Sequence, residues 1–128
     1  MKKVEKPKVN GVYFAFDDAL KVANNSPKSG HTIIVTSINK KRKTANVKTI
    51  TTIGKYDDEK KSWFYNFSKV DELRKGNILA IPYKELKAKN FSGIHHDSRT
   101  IKLDQIYYKT RNNTTRFPAR YSKLIHRK

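Results

Sequence analysis

The chain has no cysteine, which excludes disulfides and cysteine-based zinc sites and says little about compartment. Glycine and proline are sparse, 5 and 4 of 128 residues, and no low-complexity linker or internal repeat is present. No apolar run approaches the roughly 18–20 residues that span a bilayer. No long basic amphipathic helix is readable that would lie on a membrane surface. The start, Met1-Lys2-Lys3-Val4-Glu5-Lys6-Pro7, has charge but no apolar stretch behind it, so no signal peptide is expected. A glycine-rich phosphate loop and a Gly-x-Ser-x-Gly elbow are both missing, which argues against ATP-using and serine-hydrolase chemistry. Acidic residues are the scarcest class relative to their counterpart: 11 Asp and Glu against 29 Lys and Arg.

That imbalance gives a formal net charge of +18. So large an excess repels itself in isolation, and a polyanionic partner, nucleic acid first, is its simplest cause. The bland alternative is a very basic protein with unspecific charge. The distribution is uneven as well: no acid lies between Asp18 and Asp57, and none follows Asp104. Two long segments are thus purely basic, and a strongly positive side is expected. A soluble, cytoplasmic protein with no membrane partner is the expectation.

The length suits a single domain over residues 1–128. Short strands dominate the pattern. Gly11 to Phe16 is aromatic-rich. His31 to Ile38 and Ala45 to Ile53 are rich in Thr, Val and Ile and read as a pair. Ser62 to Phe67, Asn77 to Ile81 and the alternating Arg99 to Tyr108 complete the set. Helical signals are few. Ser68 with Asp71 starts a segment that stops at Gly76. Asp17-Asp18 before Ala19 and Leu20 suits a turn or two. Pro118 to His126 has proline at a helix start and Tyr121, Leu124 and Ile125 on one face. The expected class is mainly β, a small barrel with a few short helices (α+β).

His95-His96-Asp97 is the only cluster of metal-ligand types. Adjacent histidines point apart and the helical spacing of zinc sites is missing, so no metal and no cofactor are expected there; an exposed loop after Gly93 is the plainer account. RNA can be cut without a metal. Its own 2′-hydroxyl is the nucleophile, and imidazole, ammonium, guanidinium and hydroxyl groups suffice to move protons and hold charge. His31 begins one strand and Thr51-Thr52 lie near the end of the next. In an antiparallel pair those ends meet, which would place an imidazole near two hydroxyls, beside the basic loop Lys40-Lys41-Arg42-Lys43. Taken singly, a strand histidine or threonine is more often an ordinary packed residue.

Three motifs in order resemble the MazF/PemK family of toxin endoribonucleases. They are Gly11-Val12-Tyr13-Phe14-Ala15-Phe16-Asp17; His31-Thr32-Ile33-Ile34-Val35-Thr36-Ser37 with Val47-Lys48-Thr49-Ile50-Thr51-Thr52; and Leu103-Asp104-Gln105-Ile106. The resemblance covers most of residues 11–111. It implies an SH3-like barrel, a homodimer, and metal-independent cleavage of single-stranded RNA. In that family an arginine and a threonine or serine do the chemistry. The hydroxyl falls on Thr51, whereas the arginine position falls on His31 and the proline that follows it on Thr32. Histidine titrates near neutrality and suits a base or an acid, and Lys28 is the alternative source of positive charge. Residues 54–98 are longer than in compact members and resemble an insertion, a feature of the branch neutralised by an RNA antitoxin. Residues 112–128 are expected to be a basic C-terminal extension or helix.

The leading expectation is a metal-independent endoribonuclease toxin of a toxin–antitoxin system, with RNA as substrate and an RNA or an acidic protein as antitoxin. The alternative is a non-catalytic nucleic-acid-binding module such as a phage or plasmid protein, which the missing arginine favours. The candidate catalytic residues are His31, Thr51, Lys28 and Thr52. The candidate RNA contacts are Lys40, Lys41, Arg42, Lys43, Lys48, Arg99, Lys109, Arg111, Arg116 and Arg120. Bases would stack on Trp63, Tyr65, Tyr56, Tyr107 or Tyr108, each of which also suits core packing.

Overall fold

The computed structural model describes residues 2–22, 28–81, 90–109 and 115–116, with 79–81, 90–91 and 115–116 as backbone only. In chain order the elements are β1 (Gly11–Phe16), α1 (Asp17–Leu20), β2 (Gly30–Asn39), β3 (Thr44–Asp57), β4 (Ser62–Tyr65), α2 (Phe67–Arg74), β5 (Ile78–Ile81), β6 (Asn90–His95), β7 (Arg99–Lys102) and β8 (Thr115–Arg116). The fold is mainly β, a small α+β arrangement.

β3 is its spine. Val47 pairs with Val35 of β2 on one edge and with Arg99 of β7 on the other. Further along, Gly54 pairs with Tyr65 of β4 and with residue 91 of β6. The main path runs β5-β6-β3-β2-β1-β8. The expected barrel does not form. Closure needs the two end strands to pair, but among the described residues β5 bonds only to β6, and β8 only to Gly11 and Val12 of β1.

The main hydrophobic cluster lies on one face of this sheet, and Val12, Ile34, Ile50 and Ile94 are buried on the other. Tyr13, Ala15, Ile33, Val35, Ala45, Val47 and Ile101 share the first face by register, and Val4, Leu20 and Ile106 close over them. Ile33-Ile34-Val35 is buried throughout, since successive side chains reach opposite sides of a sheet that is covered on both here. Tyr108 packs its ring edge on Tyr13 with 6.5 Å between centroids, whereas Tyr107 packs on Phe16 at 5.2 Å, so the adjacent tyrosines do point apart.

Three local expectations change. The strand expected over Arg99 to Tyr108 stops at Lys102 and turns through a single 3-10 turn, Leu103–Gln105. Its partner β3 begins at Thr44, so no ladder exists beyond Lys102 and the turn delivers Ile106 to the core. The N-cap of α2 is Asn66 rather than Ser68: the Asn66 side chain accepts from the Ser68 amide and hydroxyl. Ile94 and His95, expected in an exposed loop after Gly93, belong to strand β6, held between β3 and β5. The helix expected over Pro118 to His126 lies outside the described residues.

Gly30 opens β2 where the chain passes close to β1. A methyl group there would meet the Phe14 ring and lie 2.6 Å from the Ala15 carbonyl oxygen. The expected result for Gly30→Ala is a loss of roughly 1–3 kcal/mol, because the opposing backbone cannot yield as a flexible side chain would. The urea midpoint checks it; an unchanged midpoint would show that the β1–β2 junction yields at little cost.

Candidate nucleic-acid site

The open end of the β2–β3 pair is where the candidate residues collect. The last register pair is Thr32 with Ile50, so one step on His31 lies opposite Thr51, on the face that carries Ala15 and Ile33. Thr52 follows Thr51 and alternates to the opposite face, where it is exposed. The register thus puts His31 and Thr51 on one face at the open end of the pair and Thr52 on the other.

His31 is fixed by its neighbour across the β1–α1 junction. Its Nδ1 donates to Asp17 Oδ1 at 2.6 Å, and that carboxylate is almost fully buried. A carboxylate only accepts, so Nδ1 carries a proton in this contact, and Nε2 is left to hold a second proton or give it up. The imidazole itself keeps 29% of its side-chain surface exposed, enough to meet a substrate. Asp17 is placed by its own amide, which donates to the Ser29 carbonyl at 2.9 Å, and by α1, whose Leu20 carbonyl accepts from Arg99 at 3.0 Å. Arg99 is therefore tied to α1 and braces this corner.

Sequence reasoning missed a second imidazole. His95 ends β6, pairs with Ile78 of β5, and stands beside Thr49 in the continued register. It is half-buried, and its pKa is lowered from 6.5, first by burial and then by the positive charges of Lys69 and His31, with Glu72 and Asp97 opposing. His31 from β2 and His95 from β6 thus share the face of Thr51, and the charges of His31 and of Lys69 from α2 are felt at His95. Gly93, directly opposite Thr51, adds no side chain to the floor between them. The only sequence signal for His95 was its place in the His95-His96-Asp97 cluster. Among the described residues, no group of three or more His, Asp or Glu side chains converges as a metal site would.

The basic loop is elsewhere. Lys40, Lys41, Arg42 and Lys43 form the exposed turn that joins β2 to β3. His31 and Thr51 are at the other end of that pair, about 25 Å away at the rise of an extended chain. The expectation of an imidazole beside the basic loop is corrected: a hairpin's turn and its open end are its two extremes. The turn borders a concavity of about 540 Å³ lined by Ser37, Asn39, Thr44, Asn46 and Thr100 together with its own Lys40, Lys41 and Arg42, with no acid among its lining residues. Asn46 donates to Ser37 at 3.0 Å and accepts from Thr100 at 2.7 Å, which fixes a polar floor under the cations.

The remaining candidates divide. Lys28 is exposed in the turn before β2. Lys48 is 5% exposed, its pKa lowered by burial, and its stem lies in the row of Ile34, so it is no surface contact. Lys109 is partly buried. Arg116 is described only as backbone paired with Gly11, and Arg111 and Arg120 lie outside the described residues. Among the described residues no helix is long and apolar enough to cross a membrane. No family model, no curated protein and no solved structure matches the chain.

Proposed function

We propose that the protein is a metal-independent endoribonuclease acting on single-stranded RNA. The observation that carries this is the meeting of His31, held by Asp17, with Thr51 and the second imidazole His95 on one face of the sheet. Two imidazoles divide the two proton transfers that the reaction needs. His95, kept neutral by its lowered pKa, takes the proton of the ribose 2′-hydroxyl. The 2′-oxygen attacks the phosphorus, the bond from phosphorus to the 5′-oxygen breaks, and the His31 imidazolium, its Nδ1 held on Asp17, gives its Nε2 proton to that leaving oxygen. The products are a 2′,3′-cyclic phosphate and a free 5′-hydroxyl. The Thr51 hydroxyl and the Lys69 ammonium stabilise the charge that builds on the phosphoryl oxygens. Thr51 keeps the place that the toxin family's hydroxyl would take, and His31 replaces its arginine with a proton carrier. The toxin setting rests on that resemblance. An RNA or acidic-protein antitoxin would act by covering this face.

The test is incubation of the protein with end-labelled single-stranded RNA in EDTA. Fragments ending in a cyclic phosphate support the proposal; RNA that is bound and stays intact would sink it. The acidic limb of the pH profile gives a further check. A base whose pKa lies below 6.5 stays competent until the pH falls through that lower value, so kcat/KM is expected to hold at pH 6.5 and to fall only below it. A limb centred at or above 6.5 would remove His95 from the role.

A second reading is favoured by one observation. The basic turn Lys40 to Lys43 and its acid-free floor form a grip that needs none of the imidazoles. A nucleic-acid-binding module without catalysis would use that end alone.

A further inference from the structure

The β3–β4 hairpin carries a ladder of rings. Tyr56 faces Trp63 across the pair with 5.5 Å between centroids, and Trp63 stacks on Tyr65 at 6.1 Å with only 19° between the ring planes. A core of this size would be expected to swallow such rings. Instead Tyr65 is 47% exposed, and Trp63 and Tyr56 are only partly buried. The ladder's face is set by an irregularity in β3. Thr51 lies opposite Gly93 and Gly54 lies opposite residue 91, so Ile53 is an extra residue in the pairing. That extra residue resets the alternation and turns Gly54, and with it Tyr65, Trp63 and Tyr56, to the face of Thr51. Gly54 then admits the Tyr65 ring against the strand: a Cβ there would lie 2.8 Å from that ring.

The hairpin is close to neutral. Lys55, Lys60 and Lys61 balance Asp57, Asp58 and Glu59, and Asp57 accepts from the Glu59 and Lys60 amides in the turn. Affinity here would therefore come from ring faces, while the chain's charge of +18 draws the polyanion in. We infer that Tyr65 and Trp63, with Tyr56 behind them, are a base-stacking subsite for unpaired RNA, further along β3 from Thr51. The inference rests on RNA being the partner and gives the site its preference for single strands, because paired bases offer no free face.

Trp63 is the only tryptophan, so its emission reports the subsite directly. The probe is a 2′-O-methyl oligouridine, which lacks the nucleophile and cannot be cut, so binding is read whether or not the protein is a nuclease. Quenching of Trp63 is expected with this strand and not with inorganic polyphosphate or an RNA duplex. Tyr65→Leu should weaken binding roughly 5- to 150-fold, and Tyr65→Phe should restore it. Neither change should alter the salt dependence, since no ion contact is lost. Equal quenching by polyphosphate, or Tyr65→Leu binding as tightly as wild type, would overturn the subsite. RNA cleavage surviving alongside that failure would leave the nuclease proposal standing; quenching without any cleavage would do the reverse.

Discussion

His31→Ala is expected to lower the cleavage rate by roughly 10²- to 10⁴-fold, the worth of one positioned proton carrier. His95→Gln should fall by a similar factor, and the double variant by little more than the worse single one, because the two groups serve one reaction. Thr51→Ala removes a donor to the phosphoryl oxygens and is expected to cost up to about 10²- to 10³-fold. Thr51→Ser should recover most of that loss. RNA affinity should be nearly unchanged in all of them, since the strongest charge cluster of the described residues lies at the other end of the hairpin. Asp17→Asn is the finer probe. An amide carries no charge to pair with the His31 imidazolium that donates the proton, so the rate should fall although His31 remains. Single-turnover cleavage and filter binding on the same preparations separate the two effects. Variants that lose cleavage and binding together would place these residues in the fold or the grip instead of the chemistry.

The second large effect concerns salt. A protein that neutralises several phosphates loses affinity steeply as ions rise, with a slope near −0.7 per contact for single strands. Changing Lys40, Lys41, Arg42 and Lys43 together to serine should flatten the slope of log K against log salt by about 3. Between 50 and 200 mM salt, the wild type should then lose roughly 50-fold more affinity than the variant. All four side chains are exposed, so folding should be untouched. An unchanged slope would show that the grip lies elsewhere, with Lys28 the next described candidate.

Much of this fold was legible in the chain. β1 runs from Gly11 to Phe16 as its aromatic alternation implies, and the β2–β3 pair is where its Ile, Val and Thr runs put it. The opposition of His31 and Thr51 was legible for the same reason, since a local hairpin fixes its own register. What was not legible depends on distant partners. Asn90-Phe91-Ser92-Gly93-Ile94-His95 is a poor strand by itself and becomes one only between β3 and β5. His95 therefore reaches the site through pairings that no local pattern announces. Arg99 to Tyr108 alternates well enough for one long strand, but its partner runs out at Thr44. The open sheet, in place of a barrel, follows from how its end strands pair, which periodicity does not encode.

β3 also sets the order in which the molecule can come into being. Its partners come from residues 30–39, 62–65, 90–95 and 99–102, so its two edges are completed by segments widely separated in the chain. Pairings of such long sequence span are slow to close, and sheets dominated by them fold over milliseconds to seconds. The β1–β2–β3 meander can form early and would hold His31 and Thr51 side by side. His95 arrives only when β6 docks, after some forty further residues have left the ribosome. A nascent chain would thus carry half of the site, inert, until its sheet is almost whole.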